Sequence, residues 1–223
     1  MRFYGRFTIE NLQEVRRAYR EAANDPTPLV ICSNHLTFID SALITWAIGS
    51  GPWYVMNFKR FSWNLPAGDF FKKKAFHRFV GLIAKCIFIY RNGSKEHKQS
   101  VIDLCTQLVR NGEVVTIFPE GKRSRTGRFD PDALTYGVGK IVTGLGGHCR
   151  VFCVYLRGDM QKTFSNYPPR NSRFHMGTRL IHVRTSKGGR EGYAEVVSKV
   201  GSNLKAMEDA YFSAQAMPPA ADA

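Results

Sequence analysis

The chain has 223 residues, of which 43% are hydrophobic and 22% charged, values typical of one globular domain. It carries 32 Lys and Arg against 18 Asp and Glu, a formal net charge of +14. Such an excess indicates an anionic partner: nucleic acid, phospholipid headgroups, an acidic carrier protein or a phosphorylated small molecule.

Cysteine spacing and hydropathy exclude several other classes of protein. The five cysteines include no Cys-x-x-Cys pair, which argues against a zinc or thioredoxin-like site and for buried free thiols in a reducing compartment. No apolar run approaches the ~20 residues needed to span a bilayer. Residues 1–6 lack the apolar region of a signal peptide. The sequence therefore predicts a soluble or peripheral protein.

Strands and helices are predicted to alternate along most of the chain. The apolar runs predict strands at residues 3–9, 29–33, 53–58, 86–91, 114–118, 151–156 and 179–185. Helical spacing and end signals predict helices at residues 11–23, 40–48, 94–111, 135–145 and 192–212, the first with a capping box at Asn11 and Glu14. This order predicts an α/β fold with a single, largely parallel central sheet flanked by helices. The predicted domain covers residues 1–215, and residues 216–223 are predicted to be a disordered tail.

A histidine and an aspartate lie five residues apart directly after the predicted strand 29–33. An aspartate that is hydrogen-bonded to one imidazole nitrogen fixes the tautomer and raises the basicity of the other nitrogen. His35 is therefore a candidate general base for a substrate hydroxyl, and Asp40 is its candidate orienting partner.

A second polar cluster follows the predicted strand 114–118 and reads Phe118-Pro119-Glu120-Gly121-Lys122-Arg123-Ser124-Arg125. Sites in open α/β sheets form at the carboxyl ends of strands, so we expect this cluster at the same edge as His35. Its basic and hydroxyl groups suit phosphate recognition, and Gly121 would let the backbone approach a ligand closely. Arg91, at the end of segment 86–91, is a candidate third phosphate contact.

These stretches together resemble the lysophosphatidate acyltransferase (1-acylglycerol-3-phosphate acyltransferase) family. Its Asn-His-x4-Asp motif is matched at residues 34–40, and its Phe-Pro-Glu-Gly-Thr-Arg-Ser motif at residues 118–124, with Lys122 in place of the Thr. Its Ile-Phe-Ile-x-Arg motif is matched at residues 87–91, although Lys85 stands where a glycine is usual. The order and spacing of the three motifs fit as well.

Two features depart from the family pattern. Residues 151–155 lack the proline of the usual Val-Pro-Val core, and the chain begins with a polar helix where many members have hydrophobic helices. Both departures concern the lipid acceptor more than the chemistry.

The resemblance implies a glycerol-3-phosphate acyltransferase-like fold. It also implies acyl transfer from an acyl-CoA or acyl-carrier-protein thioester to the hydroxyl of an anionic lysolipid, lysophosphatidic acid being the first candidate. By analogy, His35 removes the hydroxyl proton and Asp40 orients the imidazole. The expected substrate-binding residues are Arg91, Glu120, Gly121, Arg123 and Ser124. No metal and no cofactor beyond the thioester co-substrate is expected.

Residues 53–91 interleave aromatic and basic side chains, a composition suited to the headgroup region of an anionic bilayer or to an acidic carrier protein. We therefore expect peripheral association with the inner face of the cell membrane, on the cytoplasmic side. Two alternatives stay open: acyl transfer to another specialised-lipid or polyene acceptor, and a non-catalytic basic module that binds anionic lipid or nucleic acid. No nucleic-acid motif is present, so nucleic acid is not an expected partner.

Overall fold

The structure is a computed structural model that describes residues 6–68, 84–90, 92–163 and 165–216. The strands within these residues are β1 Thr8–Ile9, β2 Leu29–Ser33, β3 Trp63–Asn64, β4 Val114–Ile117, β5 His148–Gly158 and β6 Arg173–Arg184. The α-helices are α1 Leu12–Asn24, α2 Asp40–Ile48, α3 Gly51–Met56, α4 Lys95–Arg110, α5 Gly137–Gly144 and α6 Gly189–Ala216. Two short 3-10 turns cover Phe58–Arg60 and Pro131–Ala133.

The six strands form one sheet in the order β1-β6-β5-β2-β4-β3. All neighbouring pairs are parallel except β5 and β6, which form a long antiparallel ladder. In the centre, Ile31 of β2 lies between Thr116 of β4 and Phe152 of β5. The predicted α/β class with a single, largely parallel sheet flanked by helices is confirmed.

Helices cover both faces of the sheet, which explains why β2 is buried along its whole length. Leu29 and Ile31 point into one core with buried residues of α1 and α2. Val30 and Cys32 point into the other core with buried residues of α4, α5 and α6. Because side chains alternate along a strand, a strand between two cores is apolar at every position.

Strand direction gives the sheet two distinct edges. β2, β4 and β5 are parallel, so the loops that follow Ser33, Ile117 and Gly158 lie together at one edge, here called the site edge. β6 runs the other way, and its last residue, Arg184, pairs with His148 at the start of β5. The loop after Arg184 therefore lies at the opposite edge.

The predicted strand at residues 53–58 is wrong. Residues 51–56 form α3, because Pro52 occupies the first turn of the helix, where proline's fixed φ is favourable. Burial here does not alternate as it would in a strand: Tyr54 is buried, but the consecutive Val55 and Met56 are both exposed. The strand of this region lies further on, where Trp63 of β3 pairs with Val115.

Two other sequence predictions need correction. Asn11 precedes α1 but makes no side-chain cap; its amide donates to the carbonyl oxygen of Met176 instead, at 2.8 Å, so the predicted capping box is wrong. Segment 86–90 is not a strand; its backbone forms isolated bridges from Cys86 to Asn64 and from Ile89 to Ala67, and Ile87 packs into the core.

Several element boundaries also differ. β1 is shorter than predicted within the described residues, and β6 and α6 are longer. The Ser94 cap is confirmed, since its hydroxyl accepts the His97 N–H at 3.2 Å. The predicted disordered tail lies outside the described residues from residue 217 onward. All five cysteines are free, as predicted; Cys86 is half-buried and the other four are buried.

Candidate active site

The turn after β2 is clamped to the neighbouring strand by Asn34. Asn34 Nδ2 donates to the backbone carbonyl oxygen of Leu156 at 2.9 Å, and Asn34 Oδ1 accepts the backbone N–H of Leu156 at 2.8 Å. Asn34 is 1% exposed, so both bonds form away from competing water. The start of the loop that carries His35 is thereby fixed to β5.

His35 and Asp40 meet across this loop, as their spacing predicts. His35 Nδ1 lies 2.9 Å from Asp40 Oδ2. The same oxygen accepts the backbone N–H groups of Leu36, at 2.5 Å, and Thr37, at 2.7 Å, and Asp40 Oδ1 accepts the Thr37 hydroxyl at 2.5 Å. A carboxylate that meets donors in every contact acts as an ionised acceptor. In the neutral imidazole, the bond to this carboxylate assigns the proton to Nδ1 and leaves the lone pair on Nε2.

The imidazole ring is also held by packing. It stacks on Phe118, with 4.1 Å between the ring centroids and 21° between the planes. Phe118 directly follows β4, and His35 follows β2. Residues at the ends of two neighbouring strands therefore hold the imidazole in place. The side chain of His35 keeps 19% of its surface exposed, which gives a substrate access to it.

Glu120 binds the backbone of the His35 loop. Its Oε1 accepts the His35 N–H at 3.0 Å, and it is 3% exposed. Burial raises the pKa of this carboxyl to about 8, although the backbone N–H groups of His35 and Asp130 act in the opposite direction. Ser124 N–H completes the link by donating to the His35 carbonyl oxygen at 2.8 Å. The second motif thus holds His35 on both sides of its peptide backbone.

Gly121 lies at the turn of the second motif. Its φ is +63°, in the left-handed region that favours glycine, and its N–H donates to the Phe118 carbonyl oxygen at 2.9 Å. A Cβ at this position would come within 2.9 Å of Thr135 Cγ2. The glycine is therefore required by the turn and by its packing, whether or not a ligand approaches it.

The two remaining predicted substrate-binding residues of the second motif, Arg123 and Ser124, differ in surroundings. Ser124 is buried, and its hydroxyl donates to the Arg128 carbonyl oxygen at 2.5 Å. Arg123 is half-buried; its guanidinium lies 3.8 Å from the centre of the Phe38 ring and donates to Asn166 Oδ1 at 2.5 Å. Arg123 therefore lies against the loop that carries His35, whereas the Ser124 side chain supports its own loop from inside.

The third motif is only partly described. Arg91 lies outside the described residues, so its predicted phosphate contact stays a prediction. Lys85 has a φ of +49°, which explains why a glycine suits this position. Its side chain is 2% exposed, and its ammonium donates to Glu113 and to the Phe58 carbonyl oxygen and lies 4.4 Å from the centre of the Phe58 ring.

Sequence reasoning missed several residues that build the site. Thr37 and Phe118 lie within the recognised motifs, and their polar or aromatic side chains were a usable signal. Phe38 lies within a recognised motif as well, whereas Asn166 carried no such signal, because it reaches the site from the loop between β5 and β6. The described part of the chain contains no group of three or more His, Cys, Asp or Glu residues arranged to hold a metal ion.

A sequence model of the acyltransferase family matches residues 6–180, more than three quarters of the chain. The chain therefore belongs to the acyltransferase family, and acyl transfer is the general chemistry that this membership supports. It is also similar to tafazzin of Drosophila melanogaster, with 29% identity over 117 residues. That match covers 52% of this chain and 29% of the fly protein, so the chain spans well under half of that relative. The predicted resemblance is confirmed at the level of the acyltransferase family.

Proposed function

We propose that the protein is an O-acyltransferase that moves a fatty acyl group from a thioester to the hydroxyl of a lysophospholipid-type acceptor. Lysophosphatidic acid is the first candidate acceptor, and acyl-CoA or acyl-carrier-protein is the donor. The observation that carries the proposal is the 2.9 Å contact between His35 Nδ1 and an Asp40 carboxylate that accepts three further donors. This arrangement supports Nε2 as a base.

The reaction needs one proton acceptor that later becomes a donor. His35 Nε2 takes the proton of the acceptor hydroxyl as its oxygen attacks the thioester carbonyl carbon. The tetrahedral intermediate collapses, the C–S bond breaks, and the imidazolium returns the proton to the departing thiolate. The products are an ester and a free thiol, and Asp40 stabilises the imidazolium between the two steps. Positioned proton transfer of this kind contributes about 100- to 10,000-fold to a rate.

An anionic group on the acceptor is the second part of the proposal. Arg123 lies beside the His35 loop, and Arg91 is expected to join it; guanidinium groups suit phosphate through charge-assisted hydrogen bonds. Glu120 and Gly121 shape the loop on which Arg123 stands. In this proposal they act on the acceptor through the position of that loop, and Ser124 does the same.

The alternatives differ in how far the site supports them. A different specialised-lipid or polyene acceptor would use the same His35 and Asp40 chemistry. A non-catalytic basic module would gain nothing from a buried carboxylate aligned with an imidazole. None of the described helices is both long and apolar enough to cross a membrane. We propose a peripheral position on the inner face of the cell membrane, where an anionic surface would meet the excess of basic residues.

Thiol release from acyl-CoA, followed with a thiol-reactive dye, tests the proposed function. We expect release that depends on added lysophosphatidic acid, with phosphatidic acid identified by mass spectrometry. Acyl-CoA alone is the control for simple hydrolysis, and acyl-carrier-protein thioester is the second donor. Release without any acceptor, or no ester product across a panel of hydroxylated lipids, would reject the proposal.

A further inference from the structure

Three loops at the site edge form one continuous surface around His35. They cover residues 36–39, 121–129 and 160–173, of which residue 164 is not described. Arg157 is 6% exposed and donates to the carbonyl oxygens of Gly127 and Gln161, which joins the second loop to the third. Phe38 N–H donates to the Asn166 carbonyl oxygen at 2.9 Å, which joins the first loop to the third. We call these residues the site-edge loops.

The site-edge loops carry an excess of positive charge. They contain seven cations, Lys122, Arg123, Arg125, Arg128, Lys162, Arg170 and Arg173, and the acidic residues Glu120, Asp130 and Asp159 lie directly beside them in the sequence. Arg123 donates to Asn166 Oδ1, Arg173 pairs with Asp159 at 3.4 Å, and Arg128 lies over the ring of Phe212. Lys162 and Arg170 are exposed. The loops therefore present a basic face around the entrance to the site.

Large apolar side chains are exposed on the same face. Tyr167 is 64% exposed, Met160 is 43% exposed and Phe38 is 38% exposed. The rings of Phe38 and Tyr167 lie together, with 5.9 Å between their centroids. Exposed aromatic bodies among basic heads are the composition of surfaces that bind the headgroup region of anionic bilayers.

We propose that the site-edge loops are the surface through which the protein binds an anionic lipid bilayer, with Tyr167 at the boundary between headgroups and acyl chains. This inference rests on the proposed function, because it places the lipid phase directly at the entrance to His35. An acceptor and its acyl chain would then reach the imidazole without crossing water.

Of the residues that the sequence first indicated for the membrane, residues 69–83 and 91 lie outside the described part of the chain, and residues 55–60 lie away from the site. Val55 and Met56 are 81% and 86% exposed, and Phe58 is 57% exposed. However, Lys59 and Arg60 contact the carbonyl oxygens of residues 111 and 112, which precede β4. Residues 55–60 therefore lie at the opposite edge, separated from His35 by the length of a five-residue strand, about 17 Å. A bilayer bound there would face away from the site.

Charge-reversal variants at the two edges distinguish vesicle binding by the site-edge loops from binding by the opposite edge. The variant Lys162→Glu/Arg170→Glu alters the site-edge loops, and Lys187→Glu/Arg190→Glu makes the same change in net charge at the opposite edge. Binding is measured by sedimentation with vesicles of equimolar phosphatidylcholine and phosphatidylglycerol at low salt, without substrates. We expect the first variant to bind at least about 30-fold more weakly, since each cation near the surface contributes about fivefold. We expect the control variant to change by less than about threefold.

Tyr167→Ala tests the apolar part and should weaken binding without changing its salt dependence. Thermal unfolding of every variant checks that it is folded. Failure of the native protein to bind these vesicles would overturn the inference, as would equal losses in the two double variants or no loss in the first. Because no turnover is measured, acyl transfer without vesicle binding rejects this inference alone, and vesicle binding without acyl transfer rejects the proposed function alone.

Discussion

Glu208 of α6 accepts the backbone N–H of Phe129 at 2.9 Å and is 2% exposed. This contact joins the C-terminal helix to the loop that continues the second motif. The same carboxylate lies 3.4 Å from the Tyr155 hydroxyl. α6 begins at Gly189, beyond residue 180, where the match to the family ends. A helix outside the matched region therefore supports the loop that holds His35.

Removing this carboxylate should destabilise the protein by a specific route. In Glu208→Ala the buried Phe129 N–H loses its acceptor, and we expect a loss of about 1–3 kcal/mol in the free energy of unfolding. Glu208→Gln keeps an oxygen at the same position and should lose less than about 1 kcal/mol. Urea denaturation measures both values. Equal losses in the two variants would show that the charge, and not the hydrogen bond, is what matters.

Glu120 should make stability depend on pH. Its pKa is about 8 in the folded protein, above its ordinary value, because the carboxyl is buried. The stability that it contributes is fully present below the unfolded-state pKa and is lost as pH rises through the folded-state pKa. Between pH 5 and pH 9 the native protein should therefore lose stability relative to Glu120→Gln, on the order of 2–4 kcal/mol.

Gln keeps an acceptor for the His35 N–H, so the comparison isolates ionisation. Denaturation midpoints at each pH provide the measurement, with Glu191→Gln in the first turn of α6 as the control. Parallel pH curves for the native protein and Glu120→Gln would contradict a buried carboxyl of raised pKa.

Lys85 combines a strained backbone with a buried ion pair. Lys85→Ala removes the partner of Glu113 and keeps the unfavourable φ, so we expect a loss of about 2–4 kcal/mol in unfolding free energy. Lys85→Gly removes the same charge but relieves the backbone, and it should be about 1 kcal/mol more stable than the alanine variant. Thermal and urea unfolding measure the order. An alanine variant at least as stable as the glycine variant would contradict the left-handed conformation.

Asp40 should matter for rate more than for substrate binding. In Asp40→Asn the side chain no longer offers a carboxylate to His35 Nδ1, so the tautomer with a basic Nε2 loses its support. We expect kcat to fall about 100-fold or more while KM for the thioester stays within about threefold. Asp103→Asn, on the exposed side of α4, is the matched control. A loss confined to KM would assign Asp40 to substrate binding.

Sequence reasoning succeeded where the contacts are local or follow from strand direction. His35 and Asp40 meet because one short turn separates them, and Glu120 joins them because parallel strands end at the same edge. The order of strands and helices was sufficient for the fold class. These features depend on spacing and alternation, which are visible in a single sequence.

The errors have physical causes that spacing does not reveal. The aromatic run after Pro52 resembles a strand, but proline in the first turn and packing of Tyr54 against the core produce α3. The Asn11 side chain donates to the Met176 carbonyl oxygen and does not cap its helix, and only the folded chain supplies that partner. Asn166 and Glu208 reach the site from distant segments, and neither lies in a recognised pattern. The contacts of Lys85 with Glu113 and Phe58 likewise become visible only in the folded chain.

The rate of acyl transfer in His35→Ala tests the central claim most directly. Pre-steady-state thiol release with acyl-CoA and lysophosphatidic acid should be about 100- to 10,000-fold slower than in the native protein. His182→Ala, an exposed histidine of β6 at the opposite edge, should retain the native rate and serves as the control. Unchanged release in a folded His35→Ala variant would contradict the account.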